Sequence, residues 1–262
     1  MQIAGKVAVI TGGARGTAKR IADVLVERDA KVVLGDILKQ GSQVAAALNK
    51  NKSDQVAIFQ HCDVCNFHDI QNLVDSAIRE FGCLDIMTEN AGVNSLYLWA
   101  STKSEPHSRA VGVNFKVPME GTHLVVRAFY AAKRPGCVIN MASVMDSRPF
   151  EYASVYCATK ATLVLFAAAS ASLAESIPPI RVNAIAPIYV DTTIVRDNAP
   201  EQINKIIQVA GTQSLDDVAN EAIRCIEDES LAGDTIIMEA NFPGNVHDGP
   251  KARSVGLVKS IK

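Results

Sequence analysis

Aromatic residues are scarce in this sequence: they make up 5% of its 262 residues and include a single tryptophan. The charges nearly cancel at a formal net charge of −2, which excludes the basic excess typical of nucleic-acid-binding proteins. We find no apolar run of membrane-spanning length and no secretory signal pattern in the first residues. The five histidines lack metal-ligand spacing. These absences predict a cytoplasmic protein without a metal site, a nucleic-acid partner or a membrane span.

The sequence also lacks a Ser/Gly-rich linker and any internal repeat that would divide it into units. With 48% apolar residues, a chain of this length can bury one large core. The six cysteines are scattered, which favours reduced thiols over a disulfide framework. We therefore predict one domain over residues 1–240, followed by a C-terminal extension over 241–262.

Short apolar runs alternate with helical patterns along the whole chain. This alternation predicts an α/β fold with a mostly seven-stranded parallel sheet that is covered by helices on both faces. The predicted strands are residues 6–11, 31–36, 55–61, 84–87, 136–142, 180–186 and 234–240.

The first predicted strand is followed by a glycine-rich stretch, residues 11–18, and then by a helical pattern. Gly12 and Gly16 would let the backbone approach a pyrophosphate, and the start of the helix offers it free N–H groups. The second strand ends at Asp36, about 20 residues beyond this turn, where a carboxylate can bind the hydroxyls of an adenosine ribose. A plain strand-turn-helix explains the glycines but not an acid at this spacing. The pattern therefore predicts a doubly wound (Rossmann) domain that binds a dinucleotide.

Tyr156 and Lys160 are four positions apart, which places both on one face of a helix. A free phenol has a pKa of about 10, and an ammonium one turn away would lower that pKa by stabilising the phenolate. Tyr156 could then pass a proton to or from a substrate oxygen. Ser143 follows an apolar strand, at the edge of the sheet where open α/β folds bind ligands. Taken alone, these residues are also compatible with an ordinary helix face and a strand-end hydroxyl.

Together these motifs resemble the classical short-chain dehydrogenase/reductase family, and the resemblance runs from about residue 4 to about residue 240. Within the family, the layout is most similar to 15-hydroxyprostaglandin dehydrogenases and insect-type alcohol dehydrogenases. The features that carry the resemblance are the glycine loop at 11–18, Asp36, Asn90-Ala91-Gly92, Asn114 and the set Ser143/Tyr156/Lys160.

The resemblance implies an NAD(H)-dependent oxidoreductase that interconverts a secondary alcohol and its ketone by hydride transfer. In that role Tyr156 is the acid/base, Ser143 holds and polarises the substrate oxygen, and Asn114 anchors a water of the proton relay. Lys160 lowers the pKa of Tyr156 and binds the nicotinamide ribose. The implied cofactor-binding residues are Gly12, Arg15, Gly16, Thr17, Asp36, Ile37, Asp63, Val64, Asn90, Ala91, Gly92, Tyr156, Lys160, Pro187, Val190 and Thr192.

The signals for the choice between NAD and NADP conflict. Arg15 could pair with a 2′-phosphate, whereas Asp36 would repel that phosphate at close range and Ile37 offers no charge. A carboxylate in the ribose pocket should outweigh a flexible, solvated arginine. We therefore expect NAD, with NADP as the minor alternative.

Three positions near the cofactor depart from the family pattern. Thr17 replaces an aliphatic residue, and Glu89 stands where the family normally has the first of two asparagines. Ile188 replaces the glycine that normally follows Pro187, and a β-branched residue does not easily adopt a positive φ. We therefore expect an altered hydrogen-bond network at Glu89 and a different path into the substrate lid, residues 188–212.

The stretch 155–175 is apolar nearly all round, which is typical of a helix that is buried on every side. By resemblance to the family, this helix forms a subunit interface, and the protein is a homodimer or homotetramer. Burial against its own sheet is the alternative.

Three loops, at 93–104, 144–153 and 188–212, should surround the nicotinamide. They carry few charges, so we expect a hydrophobic small-molecule substrate rather than a phosphorylated one. Their apolar and aromatic residues are Leu96, Tyr97, Leu98, Trp99, Val144, Met145, Phe150, Tyr152, Tyr189, Ile194 and Val195.

Two other functions can use the same fold, because function belongs to the site rather than to the fold. The chain could be a biosynthetic cyclase or isomerase, or a non-catalytic dinucleotide-binding sensor. An intact Ser143/Tyr156/Lys160 set argues against the sensor, which has no need of it. The set does not exclude a cyclase whose reaction follows carbonyl reduction.

Overall fold

The computed structural model of the chain contains one eight-stranded sheet with helices on both faces. It describes residues 1–95, 98–99, 104–192, 195, 204, 207, 211–239 and 244–246. The strands are β1 Val7–Thr11, β2 Lys31–Asp36, β3 Ala57–His61, β4 Ile86–Glu89, β5 Gly136–Met141, β6 Ile180–Pro187, β7 Thr235–Met238 and β8 Asn245–Val246. The α-helices within the described ranges are α1 Gly16–Glu27, α2 Gly41–Asn49, α3 Phe67–Phe81, α4 Glu105–Val111, α5 Val117–Ala132, α6 Ser154–Ala169 and α7 Leu215–Glu227.

The strand order is β3-β2-β1-β4-β5-β6-β7-β8. All neighbours from β3 to β7 are parallel, which confirms the predicted doubly wound α/β fold. The chain proceeds outward from β1 to β3 and then continues on the other side of β1, so the crevice between the ends of β1 and β4 is a typical ligand site. The short antiparallel β8 was not predicted. It lies inside the predicted extension 241–262, of which residues 241–243 and 247–262 are outside the described residues.

Each face of the sheet is covered by its own apolar core. On one face the strands pack with Ile21 of α1 and Ile223 of α7. On the other face they pack with Leu73 of α3, Phe129 of α5 and Leu163 of α6. All five side chains are buried, and burying one of this size contributes about 1.5–3 kcal/mol. The two cores hold the strands in register, so that the carboxyl ends of the parallel strands form one edge.

Strand β4 lies two residues later than the predicted strand at 84–87. The apolar run stops before Thr88 and Glu89, yet both residues continue the ladder to β5. Upstream, the Asp85 carboxylate accepts a hydrogen bond from the Val7 amide at 3.0 Å, ahead of the strand itself. Because the strand ends two residues later than predicted, a buried acid, Glu89, lies at the ligand-binding edge of the sheet.

The predicted helix at 155–175 consists of α6 and a separate 3₁₀ segment, Ala171–Glu175. The sequence suggested that this helix is buried on every side, and the structure shows that it is not. Leu165 is 56% exposed, and Ala158 and Ala169 are exposed on the same stripe of the helix. One face of α6 therefore remains apolar and accessible in the single chain.

The stretch Glu151–Glu175 corrects a second expectation from the sequence. By length and composition it is apolar enough to cross a membrane. In the fold it is divided into three helical segments, of which α6 packs against β5 and β6. A helix packed in a folded domain passes the same test, so length and composition alone do not make this stretch a membrane span.

Arg181 is buried at the amino end of β6, on the side of the sheet away from the crevice. Its guanidinium donates to the backbone carbonyls of Cys225, Ile226, Asp228 and Leu231 at 2.7–3.0 Å. The last carbonyls of a helix have no partner within that helix, so the arginine caps α7. It thereby attaches α7 and the turn after it to the amino edge of the sheet.

Candidate active site

A cavity of about 730 Å³ opens at the carboxyl edge of the sheet. It is lined by the turn between β1 and α1, where Gly12 and Gly16 adopt φ angles of +69° and +60°. A Cβ on Gly12 would lie 3.2 Å from the Cα of Ala91, so the turn also requires a small residue there. Arg15 directly precedes α1, whose first N–H groups have no partner within the helix. This arrangement can bind an anionic pyrophosphate.

Asp36 is buried at the end of β2, and both of its carboxylate oxygens accept backbone hydrogen bonds. Oδ2 accepts from the Ala14 amide at 3.0 Å, and Oδ1 accepts from the Leu38 amide at 2.9 Å. The carboxylate therefore orders the glycine turn as well as its own loop. A carboxylate has about four acceptor positions, so about two remain for the hydroxyls of a ribose. Ile37 beside it lines the cavity without bringing a charge.

Glu89 and Thr11 form a buried pair between β4 and β1. Thr11 Oγ1 donates to Glu89 Oε2 at 3.2 Å and accepts from the amides of Asn90 and Ala91 at 3.0 and 3.2 Å. Burial raises the pKa of the Glu89 carboxyl to about 8, and the hydrogen bond from Thr11 offsets only part of that rise. At pH 7 Glu89 is therefore mostly a neutral acid, connected through one hydroxyl to two residues of the cavity wall.

Ser143, Tyr156 and Lys160 all line the same cavity. Ser143 lies just beyond β5 and hydrogen-bonds Tyr156 of α6. Lys160 follows one turn later on the same helix, and its Nζ lies 5.5 Å from the centroid of the tyrosine ring. The same Nζ donates to the carbonyl oxygen of Met141 at 2.5 Å. The spacing of the tyrosine and lysine thus places both on one face of α6, as predicted.

The pKa values of this group differ from the expectation that Lys160 lowers the pKa of Tyr156. Burial raises the pKa of Tyr156 to about 12, and its hydrogen bond with Ser143 acts in the opposite direction. Burial lowers the pKa of Lys160 to about 8. The Met141 carbonyl holds the ammonium over the face of the tyrosine ring. At pH 7 the phenol is protonated and the amine is mostly charged.

Asn114 lies in a π-helical turn, Gly112–Lys116, that joins α4 to α5. Its Oδ1 accepts from the Val93 amide at 2.9 Å, and its Nδ2 donates to the Val93 carbonyl at 2.9 Å and to Thr159 Oγ1 at 3.2 Å. Both amide hydrogens are therefore engaged within the protein. Because Thr159 precedes Lys160, the asparagine connects the loop after β4 to the catalytic face of α6. Its predicted role as a water anchor stays a prediction.

The structure brings the predicted cofactor residues together in this one cavity, and Asn114 is the predicted site residue that does not line it. Thr192 also lies against the glycine turn, since a Cβ on Gly16 would be 3.5 Å from its methyl group. The predicted residues that line the cavity are Gly12, Arg15, Gly16, Thr17, Asp36, Ile37, Asp63, Val64, Asn90, Ala91, Gly92, Ser143, Tyr156, Lys160, Pro187, Val190 and Thr192.

The three predicted substrate loops contribute unequally. Trp99 is 88% exposed and lies outside the cavity wall. Ile188 lines the cavity, and its φ is not positive, as expected for a β-branched residue in place of glycine. Leu96, Tyr97 and Ile194 lie outside the described residues. The loop residues that line the cavity as predicted are Val144, Met145, Phe150, Tyr189 and Val195.

Two arginines of the cavity wall were missed by the sequence analysis, Arg109 of α4 and Arg148 after β5. Arg148 forms an ion pair with Glu239, which follows β7. No motif marks either arginine, although Arg148 belongs to the predicted loop 144–153. Among the residues that the structure describes, no group of three or more His, Cys, Asp or Glu side chains could hold a metal ion.

The fold and the cavity define the class of protein, a Rossmann-type oxidoreductase with a serine, tyrosine and lysine beside its dinucleotide site. A family model described as short chain dehydrogenase matches residues 6–203. The chain therefore belongs to the short-chain dehydrogenase/reductase family, in its classical form, whose members act on CH–OH groups.

Individual relatives agree with this assignment. The chain is 32% identical to human 15-hydroxyprostaglandin dehydrogenase [NAD(+)] over 94% of its own length and 95% of the relative. It is 34% identical to momilactone A synthase of Oryza sativa subsp. japonica, over 87% of this chain and 85% of that protein. A crystal structure of 3-ketoacyl-(acyl-carrier-protein) reductase from Brucella melitensis complexed with NADH superposes with a TM-score of 0.80. That structure is 26% identical and covers 91% of this chain and 98% of its own.

Proposed function

We propose that this enzyme interconverts a hydrophobic secondary alcohol and its ketone by hydride transfer with NAD(H), and that Tyr156 is its acid/base. The observation that carries the proposal is the position of Ser143, Tyr156 and Lys160 on the wall of the cavity that Asp36 and the glycine turn also line. The NAD(+)-dependent human relative and the NADH-bound bacterial structure support it.

The residues present fit a dinucleotide. The glycine turn and the start of α1 suit a pyrophosphate, and the buried Asp36 suits the hydroxyls of a ribose. When bound, NAD(H) supplies or accepts the hydride. The chain itself handles the proton: the Tyr156 hydroxyl donates it to a carbonyl oxygen in reduction, and the Tyr156 phenolate takes it from the alcohol in oxidation. Ser143, already hydrogen-bonded to Tyr156, can donate to the same substrate oxygen.

The proposal names NAD rather than NADP because of the position of Asp36. Its carboxylate is fixed by two backbone amides and is buried, so it cannot swing away from an added phosphate. Arg15, the group that would favour NADP, is exposed to solvent. An exposed charge is screened by water and contributes about 0–1 kcal/mol as an ion pair. The fixed carboxylate therefore supports a preference for NAD.

The substrate end of the cavity favours a hydrophobic molecule. Val144, Met145, Phe150 and Tyr189 lie in its wall. The charge of Arg148 is compensated by its ion pair with Glu239. Such a wall offers mainly apolar contacts with a few hydrogen-bonding groups, as sites for lipid-like or aromatic alcohols do.

The proposal extends to a homodimer or homotetramer in the cytoplasm. Large apolar side chains are exposed on three neighbouring helices, a feature typical of interaction surfaces. All six cysteines are free thiols, which suits a reducing compartment. The exposed residues are Val111 of α4, Met119 and Tyr130 of α5, and Leu165 of α6.

A hydride-transfer screen tests the proposal. Hydrophobic secondary alcohols with NAD, and the matching ketones with NADH, would be followed through the absorbance of the reduced nicotinamide. We expect turnover with at least one bulky member of the panel and little with phosphorylated alcohols. If NADH binds but no alcohol or ketone is converted, a cyclase, an isomerase or a non-catalytic sensor becomes the better description. If NADH does not bind at all, the proposal fails at the cofactor.

A further inference from the structure

Glu89 is a buried carboxyl that the proposed reaction does not use. It is 2% exposed at the carboxyl end of β4. Oε2 accepts the hydrogen bond from Thr11, whereas Oε1 has no hydrogen-bond partner. Oε1 lies against Gly121 of α5, where a Cβ would collide with it. The acid is therefore enclosed between the sheet and a helix, with one oxygen unsatisfied.

The groups that face Glu89 from each neighbouring element are uncharged. Thr11 faces it from β1, and Asn140, its register partner, faces it from β5. From α5 it meets Gly121, which is followed by Thr122, a residue whose buried hydroxyl has no partner. Among the described residues, the thiol of Cys62 interacts electrostatically with Glu89, and its pKa is raised to about 12, mainly by burial. That thiol stays neutral throughout the pH range in which Glu89 titrates.

A neutral acid suits this enclosure and a carboxylate does not. When Glu89 is protonated, its unsatisfied Oε1 can become a hydrogen-bond donor. The residue paired with it on β5, Asn140, has a buried Oδ1 that lacks a hydrogen-bond donor. When ionised, the carboxylate is a buried charge without a cation, a state that proteins avoid. The ionised side chain is therefore drawn out of its place, and the Thr11 hydroxyl is left with only its longer hydrogen bond to the Thr88 carbonyl, at 3.4 Å.

Thr11 transmits that change to the cavity wall. Its oxygen accepts hydrogen bonds from the amides of Asn90 and Ala91, which form the turn after β4. A Cβ on Gly12 would lie 3.2–3.3 Å from atoms of both residues, so this turn and the glycine turn are packed directly together. Both turns line the cavity. A shift of the hydroxyl therefore displaces the backbone that borders the dinucleotide site.

We propose that Glu89 is a positioning residue for the cofactor. As a neutral acid it fixes the amides of Asn90 and Ala91 through Thr11, and its ionisation loosens their turn and weakens binding of NAD(H). This inference rests on the proposed NAD(H) binding. Glu89 touches neither the substrate nor the reacting atoms, so its effect should appear in cofactor affinity as a function of pH.

The test compares NADH dissociation constants at about pH 6.5 and about pH 9.5, measured by nicotinamide fluorescence. Glu89→Gln keeps the shape and the neutral state, and Glu80→Gln, at an exposed carboxyl of α3, is the matched control. At about pH 9.5 only about one molecule in thirty keeps the proton of a group with a pKa of about 8. We therefore expect the dissociation constant at about pH 9.5, divided by the one at about pH 6.5, to be about tenfold larger in the wild type than in Glu89→Gln.

Lys160 titrates in the same range, but it is intact in all three proteins, so its contribution cancels when their ratios are compared. Equal ratios in wild type and Glu89→Gln would overturn the inference, as would an equal change in Glu80→Gln. If Glu89→Gln fails to fold, Glu89→Asn carries the residue that the family normally has there and serves the same comparison. Absence of NADH binding at both pH values would instead reject the proposed function.

Discussion

The ammonium of Lys160 lies 5.5 Å from the centre of the Tyr156 ring, where the carbonyl of Met141 holds it. Burial moves both groups away from their ordinary behaviour, raising the pKa of the tyrosine to about 12 and lowering that of the lysine to about 8. The phenol thus keeps its proton at neutral pH. At neutral pH the arrangement therefore favours protonation of a carbonyl oxygen over abstraction of an alcohol proton.

Replacing Tyr156 with Phe keeps the ring and removes the transferable proton. We expect kcat to fall by about 10²-fold or more, because a positioned acid/base contributes about that much. NADH affinity should change little. Tyr130→Phe, at an exposed tyrosine of α5, is the control for loss of a phenol hydroxyl. Unchanged turnover of Tyr156→Phe on a verified substrate would reject the acid/base assignment.

Replacing Lys160 with Met should lower activity and raise stability at pH 7. The folded-state pKa of Lys160 is lowered, so its burial opposes folding at pH below about 8, and this penalty disappears as pH rises towards the unfolded value. We expect the variant to gain on the order of 1 kcal/mol in free energy of unfolding at pH 7, measured by urea titration. The gain should shrink at alkaline pH. A variant that is less stable than wild type at pH 7 would show that the bond to Met141 outweighs the cost of burying the charge.

Replacing Ser143 with Ala removes the hydrogen bond that lowers the pKa of Tyr156. The pKa of the tyrosine should rise further, so alcohol oxidation should reach half of its maximal rate at a higher pH than in the wild type. Maximal turnover should also fall, by about tenfold or more, because the substrate oxygen loses a donor. pH profiles of kcat for both proteins measure the two effects. A lower rate with an unshifted profile would mean that Ser143 acts on the substrate alone.

Replacing Asp36 with Asn removes the charge but keeps an acceptor for one backbone amide. We expect the preference for NAD over NADP to narrow by about tenfold, since the repulsion of a 2′-phosphate is lost. Asp36→Ala should narrow it too and also cost about 1–3 kcal/mol of stability, because the amides of Ala14 and Leu38 lose their acceptors. Titration of each variant with NAD and with NADP measures this preference. An unchanged preference in Asp36→Asn would indicate that Arg15, rather than Asp36, determines the choice of cofactor.

Replacing Leu165 with Glu tests the assembly. Light scattering of the wild type at micromolar concentration should show at least a dimer, because an exposed apolar face on α6 favours association. The variant should dissociate. Ile78→Glu, at a comparably exposed isoleucine on α3, should leave the assembly intact. A monomeric wild type would leave α6 as a helix of the single chain only.

Features that depend on neighbours in the sequence were predictable. The glycine turn between β1 and α1 and the shared helix face of Tyr156 and Lys160 follow from spacing along one chain segment. Ser143 could be placed because the residue just beyond a buried parallel strand must lie at the carboxyl edge of the sheet. The parallel pairing of β1 to β7 then followed from the regular alternation of β and α.

Features that depend on distant partners were not predictable. Glu89 meets Thr11 across 78 positions, and Arg148 meets Glu239 across 91, so no local pattern pairs them. The pKa of Tyr156 depends on how deeply α6 is buried and on where the Lys160 ammonium is held. The spacing predicts that the lysine lies near the tyrosine, but it does not predict that its ammonium hydrogen-bonds the Met141 carbonyl.

The cap that Arg181 provides at the amino edge has a consequence for how this enzyme can diverge. Four backbone carbonyls are anchored at the end of the molecule that no substrate reaches. The opposite end carries the loops after β4, β5 and β6, which no comparable arginine anchor restrains among the described residues. Insertions and exchanges in those loops therefore leave the framework intact. New substrate preferences can arise on one side of the sheet while the other side keeps the fold.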